Sequence, residues 1–360
     1  MNKTTSTGFI PQSVYAKKLR PLLPKDAFQP DPSKLVILFI NMAILLLGWS
    51  IASYLDRWPK ALLWLYLPCS LVMANCVILL AFLGHDLMHG SVIRRKRLVY
   101  ITTLFSQSVL WIPPTLWKNI HNRVHHNKTN SLEDPDRNYL YEEPNAFGKW
   151  AQDFLVPSST VTLPGLLLGM AIAWGVYGCR HLIAVLFFDQ KDCPHVTAQV
   201  SVKPGERHAI AAEFIFILLL HFSILAYLHF NPLKLILAYF LPIGLGYAGM
   251  IFYIYTNHMF CPMTSVNDPL VNSVSVKVPK FLDLIHFNFS YHAEHHIFPG
   301  LNSDYYPLVR EYLAQLYPER MGYVVCAKEA WRLLLTTPRH YLDETTFTDL
   351  TGKMRVPCPF

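Results

Sequence analysis

The 360-residue chain is predicted to be an all-α integral membrane protein: four transmembrane helices in two hairpins, interfacial helices beside them, and a helical cap carrying clustered histidines. Three observations predict this. With 15% charged residues and a mean hydropathy of +0.25, the chain is too apolar for an ordinary soluble protein. Four stretches, 35–55, 61–83, 211–230 and 233–256, approach the roughly 20 apolar residues that cross a bilayer. Eight histidines fall into three tight clusters, each just outside a long apolar segment.

The first two spans are joined by the turn Asp56-Arg57-Trp58-Pro59-Lys60, and the last two by little more than Asn231-Pro232. Turns that short force each pair into an antiparallel hairpin. The N-terminus, the segment 84–210 and the segment 257–360 then share one face. The middle segment alone carries Arg94, Arg95, Lys96, Arg97, Lys118, Arg123, Lys128, Arg137 and Lys149, whereas the opposite turns hold Arg57, Lys60 and Lys234. The positive-inside rule makes the shared face, both termini and all three histidine clusters cytoplasmic.

Residues 1–33 are polar, Pro-rich and basic, without the apolar core of a cleavable signal, so the first span is expected to direct insertion. The net charge of +7 flanks membrane spans and accompanies no nucleic-acid motif, which argues against a nucleic-acid partner. The seven cysteines show no CxxC pair and no framework spacing, so no disulfide is expected. No internal repeat or flexible linker divides the chain, which reads as one domain over 1–360.

Between the hairpins, the apolar segment 98–114 ends in Trp111-Ile112-Pro113-Pro114 and must leave both flanking clusters on one face. It reads as a surface-lying or re-entrant helix. Segment 161–188 is long enough to cross, but it contains Pro164, several glycines and Arg180-His181. One extra crossing would also put the third cluster on the wrong side, so it reads as an interfacial helical hairpin. Residues 305–360 read as a helical part of the cytoplasmic cap.

The first cluster, His85-x3-His89, sits where the second span ends. At i,i+4 both imidazoles share one helix face. The second is His121-x3-His125-His126, whose adjacent histidines point in different directions, so one helix can serve two metals. The third, His292-x2-His295-His296, follows the fourth span. Eight imidazoles exceed the four ligands of a tetrahedral zinc site and suit two metal ions. Iron, copper, nickel and zinc all accept imidazole.

On HDLMHG (85–90), WKNIHNRVHHNKTN (117–130), EDPD (133–136) and YHAEHHIFPG (291–300), the chain resembles the integral-membrane fatty acid desaturase and hydroxylase superfamily, from the first span to about Arg310. The resemblance implies a non-haem di-iron oxidoreductase that uses O2 and two electrons on an unactivated alkyl chain. HAEHHIFP looks most like acyl-chain desaturases. HDLMHG also resembles carotenoid ketolases, and the three-residue gap of HNRVHH is that of alkane hydroxylases, where many desaturases have two. The expected reaction is fatty acid (acyl-lipid) desaturation. The alternative is a hydroxylase or ketolase acting on alkanes, acyl chains or carotenoids.

The same resemblance implies a further metal ligand near the end of the fourth span, where His258 stands, and gives His286 a place near the metals as ligand or support. Asn257 and Asn288 are candidates for holding a metal-bound water. Ligand histidines usually bond a carboxylate or carbonyl through their second nitrogen. Asp86, Asp134, Asp136 and Glu294 lie within or beside the boxes, with Asp134 and Glu294 favoured. His181, His195, His208, His229 and His340 read as structural. His221, near the middle of the third span, is an intramembrane ionisable residue with no partner evident in the sequence.

The chain carries no cytochrome b5 signature and no Fe–S cysteine set, so electrons are expected from a separate donor, ferredoxin or cytochrome b5 with a reductase. The run Arg94–Arg97 either steers an acidic donor or anchors the cytoplasmic face. From another class, a membrane metal transporter would also explain histidine-rich segments. Transporters, however, place their ligands near the bilayer midplane, where only His221 lies here.

Overall fold

The computed structural model describes residues 8–136, 146–156, 159, 161–188, 200 and 202–360. Arg137, Cys193 and His195 lie outside the described residues. Among the described residues, five helical segments are long and apolar enough to cross a membrane: α2 (Pro32–Arg57), α3 (Lys60–His89), α7 (Leu163–Phe187), α8 (Pro204–Tyr227) and α9 (Pro232–His258). Their outer faces leave large apolar side chains uncovered, among them Phe39, Leu47, Leu71, Leu219 and Phe240. That surface suits lipid and is costly in water.

The two hairpins form as the short turns require. The hairpin tips meet: Lys234 Nζ lies 3.0 Å from Asp56 Oδ1 and donates to the Ser53 carbonyl. Trp49 Nε1 donates to Ala238 O at 3.1 Å, and Ser70 Oγ to Leu237 O at 2.7 Å, so the hairpins pack against each other. Near the middle of α9, a Cβ on Gly246 would stand 2.6 Å from Val77 Cβ, so α3 and α9 approach as closely as backbones allow. Those two helices bear His85, His89 and His258 on their last turns. α3 runs on past the predicted end at 83 through both histidines and stops at Gly90, whose φ of 74° is the left-handed cap geometry glycine adopts freely.

After α3, α4 (Lys96–Ser108) inverts the usual pattern. It buries Thr103, Ser106 and Gln107 and exposes Leu98, Tyr100, Ile101 and Phe105. An apolar outer face on a helix beside the spans fits the surface-lying or re-entrant reading. The chain reverses at Trp111 (φ 59°) into α5 (Pro114–Ile120). Buried Glu213 of α8 fixes the start of α5, accepting from Thr115 N at 3.0 Å and Thr115 Oγ1 at 2.5 Å.

Segment 161–188 corrects the sequence reading, because α7 is one continuous helix and not a hairpin. Pro164 stands in its first turn, where the missing N–H costs nothing, and Thr162 caps it by accepting from Gly165 N. Arg180 reaches the Pro135 carbonyl, which gives its charge a polar partner. Both flanks of α7 are tied to histidine-bearing segments. α6 (Ala146–Leu155) accepts from Tyr255 of α9 through the Leu155 carbonyl, and Glu206 of α8 pairs with Arg123 at 2.6 Å.

The cap is not wholly helical, which corrects a second expectation. A parallel pair joins β1 (Ser275–Lys277) to β2 (Val324–Cys326), and β3 (His340–Tyr341), β4 (Thr346–Thr348) and β5 (Val356–Pro357) form a small antiparallel sheet. Pro338, Gly352, Pro357 and Pro359 prevent helix there, and Thr346-Phe347-Thr348 is an alternating, β-branched strand. Helices α12 (Tyr306–Leu316) and α13 (Ala327–Thr336) supply the predicted helical part. Val309 and Leu313 pack with Tyr15, Leu19, Ala293 and Ile297 in a second core beneath the third histidine box.

Candidate metal centre

Among the described residues, nine histidines converge from four separate parts of the chain. His85, His89, His121, His126 and His295 form one group, and His125, His258, His292 and His296 a second. In each group, one nitrogen per residue lies within 4.8 Å of all the others. The nine are buried or nearly so; His296 is 1% exposed.

The second box explains how one short segment feeds both groups. Residues His121–His125 form a π turn, with the His126 amide donating to the His121 carbonyl. In an α-helix, residues five apart differ by about 140° in direction. A π turn closes its hydrogen bonds i→i+5 and brings them onto nearly one side. His125 and His126 then flank His121 on opposite sides, His126 joining it in the first group and His125 facing the second. Trp117 stacks on His121 with ring centroids 4.1 Å apart, fixing the imidazole plane.

Four of the rings are pinned through Nδ1 and turn Nε2 inward, whereas Nδ1 of His126 and of His292 is buried without a partner. His125 Nδ1 lies 2.9 Å from Asp134 Oδ2, His85 Nδ1 3.1 Å from Asp86 Oδ1, His258 Nδ1 3.0 Å from Asn272 O and His295 Nδ1 2.9 Å from Tyr306 Oη. Inside the groups, Nε2 atoms face Nε2 atoms: His126 to His89 at 3.1 Å, His295 to His126 at 3.2 Å, and His292 to His258 at 2.7 Å. His85 Nε2 is buried with no protein partner. Converging lone pairs, several with their outer nitrogens anchored, are the donor set a metal ion requires, so the residues fit two metals.

Burial holds His121, His126, His292, His295 and His296 well below the ordinary imidazole pKa, and neighbouring imidazoles push the same way. These rings stay neutral, as a ligand must. His125 is the exception. Burial pulls it down, but the charge and hydrogen bond of Asp134, with Asp136 beyond, override this and take it up to about 8.

Asp134, 2% exposed, also accepts from the amides of Asn130 (2.7 Å) and Asp136 (2.9 Å), so its carboxylate is held rigidly behind His125. Asp136 accepts from Tyr177 Oη at 2.6 Å and stands 3.8 Å from His121 Nδ1. Glu294, favoured alongside Asp134 in the sequence, bonds none of the nine imidazoles. It accepts instead from Ser275 (2.6 Å), Arg310 (2.6 Å) and Tyr323 (2.9 Å) and ties the third box to the cap. His286 joins neither group; its nitrogens lie 3.0 Å from Tyr253 Oη and 3.1 Å from Asn75 Oδ1. Asn257 is fully buried with both amide atoms unpartnered, and Asn288 donates to the Ser303 carbonyl. His221 has partners that no local pattern reveals: Tyr239 Oη and the Ser108 carbonyl, each at 2.8 Å, with Trp111 stacked on the ring. The remaining isolated histidines stand apart from both groups: His181 and His340 are buried, and His208 and His229 are exposed. The supports missed in the sequence, Tyr306, Asn272 and Thr129 (Oγ1 3.3 Å from His296 Nδ1), reach their rings through tertiary packing and carry no periodic signal.

Among known proteins, two sn-1 acyl-lipid omega-3 desaturases (ferredoxin) are similar to this chain. The protein from Nostoc sp. (strain 36) is 29% identical over 127 residues, 35% of this chain and 33% of that one. The protein from Synechocystis sp. (strain ATCC 27184 / PCC 6803 / Kazusa) is 27% identical over 128 residues, 35% of this chain and 34% of that one. The similarity spans about a third of each relative's length. The fatty acid desaturase family matches residues 61–327, from the second span to the start of α13, a stretch that contains all nine converging histidines. With that match over most of its length, the chain belongs to the fatty acid desaturase family.

Proposed function

We propose that this protein is an O2-dependent acyl-lipid desaturase, which introduces a double bond into an alkyl chain with two electrons from a separate donor. The observation that carries the reading is the pair of adjoining histidine groups at the ends of α3 and α9. His85, His89, His121, His126 and His295 would hold one iron, and His125, His258, His292 and His296 the other. Bound iron supplies the oxygen activation that an inert C–H bond needs and that no acid, base or nucleophile of the chain provides.

The chain's own residues orient and exclude. Asp134, Asp86, Asn272 O and Tyr306 fix the outer nitrogens, so the inner ones stay available and aligned. Trp117 and Phe289 stand beside His85 at ring-centroid distances of 5.7 and 5.2 Å and wall the centre off from water. The ends of α3 and α9 meet the histidines at what we read as the cytoplasmic face, where an alkyl chain bends out of the bilayer toward them.

The donor we favour is a ferredoxin, the partner named for both similar desaturases. A groove of about 540 Å³ beside the third box is rimmed by Arg20 and Arg94 and floored by residues 297–301. Gly300 abuts the His89 carbonyl, so this basic surface is one peptide removed from the first histidine group.

Mass spectrometry of total lipids from a host expressing the chain, with His295→Ala as control, tests the reading. Acyl chains lacking two hydrogens are expected only with the intact protein. Chains or carotenoids that gain oxygen would replace desaturase with hydroxylase or ketolase.

A further inference from the structure

Between β1 and the third box, the chain makes an excursion that supplies none of the nine converging histidines. The short helix α10 (Lys280–Ile285) turns Phe281 (63% exposed), Leu284 (80%) and Ile285 outward. Contacts of the next residue set the depth of this patch. His286 meets Asn75, ten residues before His85 on a helix rising 1.5 Å per residue, so about 15 Å up the span. It also meets Tyr253, five residues before His258. The excursion therefore climbs beside α3 and α9, and Leu71 and Val72, one turn from Asn75 on α3, are exposed as well. Lys277 and Lys280 are exposed at its base. Apolar side chains beside spans with lysines below them fit acyl chains above and lipid headgroups beneath.

The inner side of the same excursion reaches the metal centre. Phe289 stacks flat on Phe82, centroids 3.8 Å apart and planes 11° from parallel. Its ring stands 5.2 Å from His85 and 5.6 Å from His292, one histidine of each group. Just before it, Phe287 (φ 55°) and Asn288 (φ 53°) both adopt left-handed backbone, unfavourable for non-glycine residues and doubly so in succession. They are held there by Asn288 N on Asp283 O (2.8 Å) and Asn288 Nδ2 on Ser303 O (3.1 Å).

We propose that residues 280–290 form a lateral gate through which an acyl chain still esterified to a bilayer lipid reaches the histidines. α10 sits in the bilayer edge, His286 with Asn75 and Tyr253 is the latch, and Phe289 swings off Phe82 to admit the chain. The inference rests on the acyl-lipid reading above and adds the route by which the lipid's chain enters.

The test is photolabelling of the full chain in phosphatidylcholine vesicles whose lipid carries a diazirine along one acyl chain, with adducts mapped by mass spectrometry. An acyl-thioester diazirine added from the water phase forms the second arm. Lipid adducts on Phe281, Leu284 and Phe289 are expected, several-fold weaker on the segment in Leu284→Ser, whose exposed side chain is not needed for folding. Phe289→Ala should raise adducts on Phe82 several-fold. Lipid adducts confined to the spans, or thioester adducts that dominate at Phe289, would overturn the gate. Labelling needs neither metal, oxygen nor electrons, so its failure is distinct from absence of desaturated lipid, which would overturn the function.

Discussion

His258 and His292 stand 34 residues apart in sequence, yet their Nε2 atoms lie 2.7 Å from each other. Two buried imidazole nitrogens that close share either a proton or a cation. Removing either ring should therefore empty one metal position and spare the other. His258→Ala and His292→Ala are expected to halve the iron bound per purified chain by elemental analysis. His295→Ala should empty the opposite position. Equal loss of both metals from all three variants would contradict two separate groups.

The contrast between Asp134 and Glu294 gives a paired prediction. Asp134→Asn removes the charge behind His125 and should weaken metal retention about 10- to 100-fold in chelator competition. Glu294→Gln touches no imidazole but leaves Arg310, whose side chain is 14% exposed, without its carboxylate. Breaking such a buried pair costs about 3–5 kcal/mol, so this variant should lose thermal stability with little direct effect on metal affinity.

Acid should destabilise the metal-free protein. Five buried imidazoles (His121, His126, His292, His295 and His296) have folded pKa values below the ordinary 6.5, so as pH falls through 6.5 the unfolded chain takes up protons the folded one refuses. Stability is therefore lost on the acid side. His125, raised to about 8, works in the other direction: its contribution is full below 6.5 and is lost as pH rises through about 8. The lowered imidazoles outnumber the raised one, which predicts a melting temperature that falls from pH 7.5 to 5.5 in detergent solution, and a rise over that interval would refute the assignment.

Donor docking on the groove of Arg20 and Arg94 predicts a charge effect. Double reversal to Glu should slow ferredoxin-dependent reduction while leaving reduction by a small uncharged dye unchanged. Raising the ionic strength should bring the native protein toward the variant.

How far the sequence reaches differs by residue. The three boxes announce themselves because metal ligation needs local spacing, and His258 stands at a span end that hydropathy locates within two residues. Asp134 is close enough to His125 in sequence to be suspected. Glu294 misleads because it sits within HAEHH, but a helix one and a half turns long points it away from its neighbours. Tyr306 and Asn272 reach the histidines only through tertiary packing. The continuity of α7 was hidden because Pro164 and Arg180 are breakers by type, and only their positions, in a first turn and beside a carbonyl, make them harmless.

The π turn at His121–His125 has a consequence for how this motif is counted. Deleting Val124 would leave the histidines separated by three and four, which an α-helix sets about −60° and +40° from the first. The present turn sets its separations of four and five at roughly −30° and +50°. The shortened chain should therefore still gather both groups and still bind two irons. Elsewhere in a helix, one extra residue rotates everything after it by about 100°; here the backbone swallows the insertion and the imidazoles stay put. The two-residue and three-residue gaps are then one arrangement written at two lengths, and the length of the gap does not by itself set the chemistry.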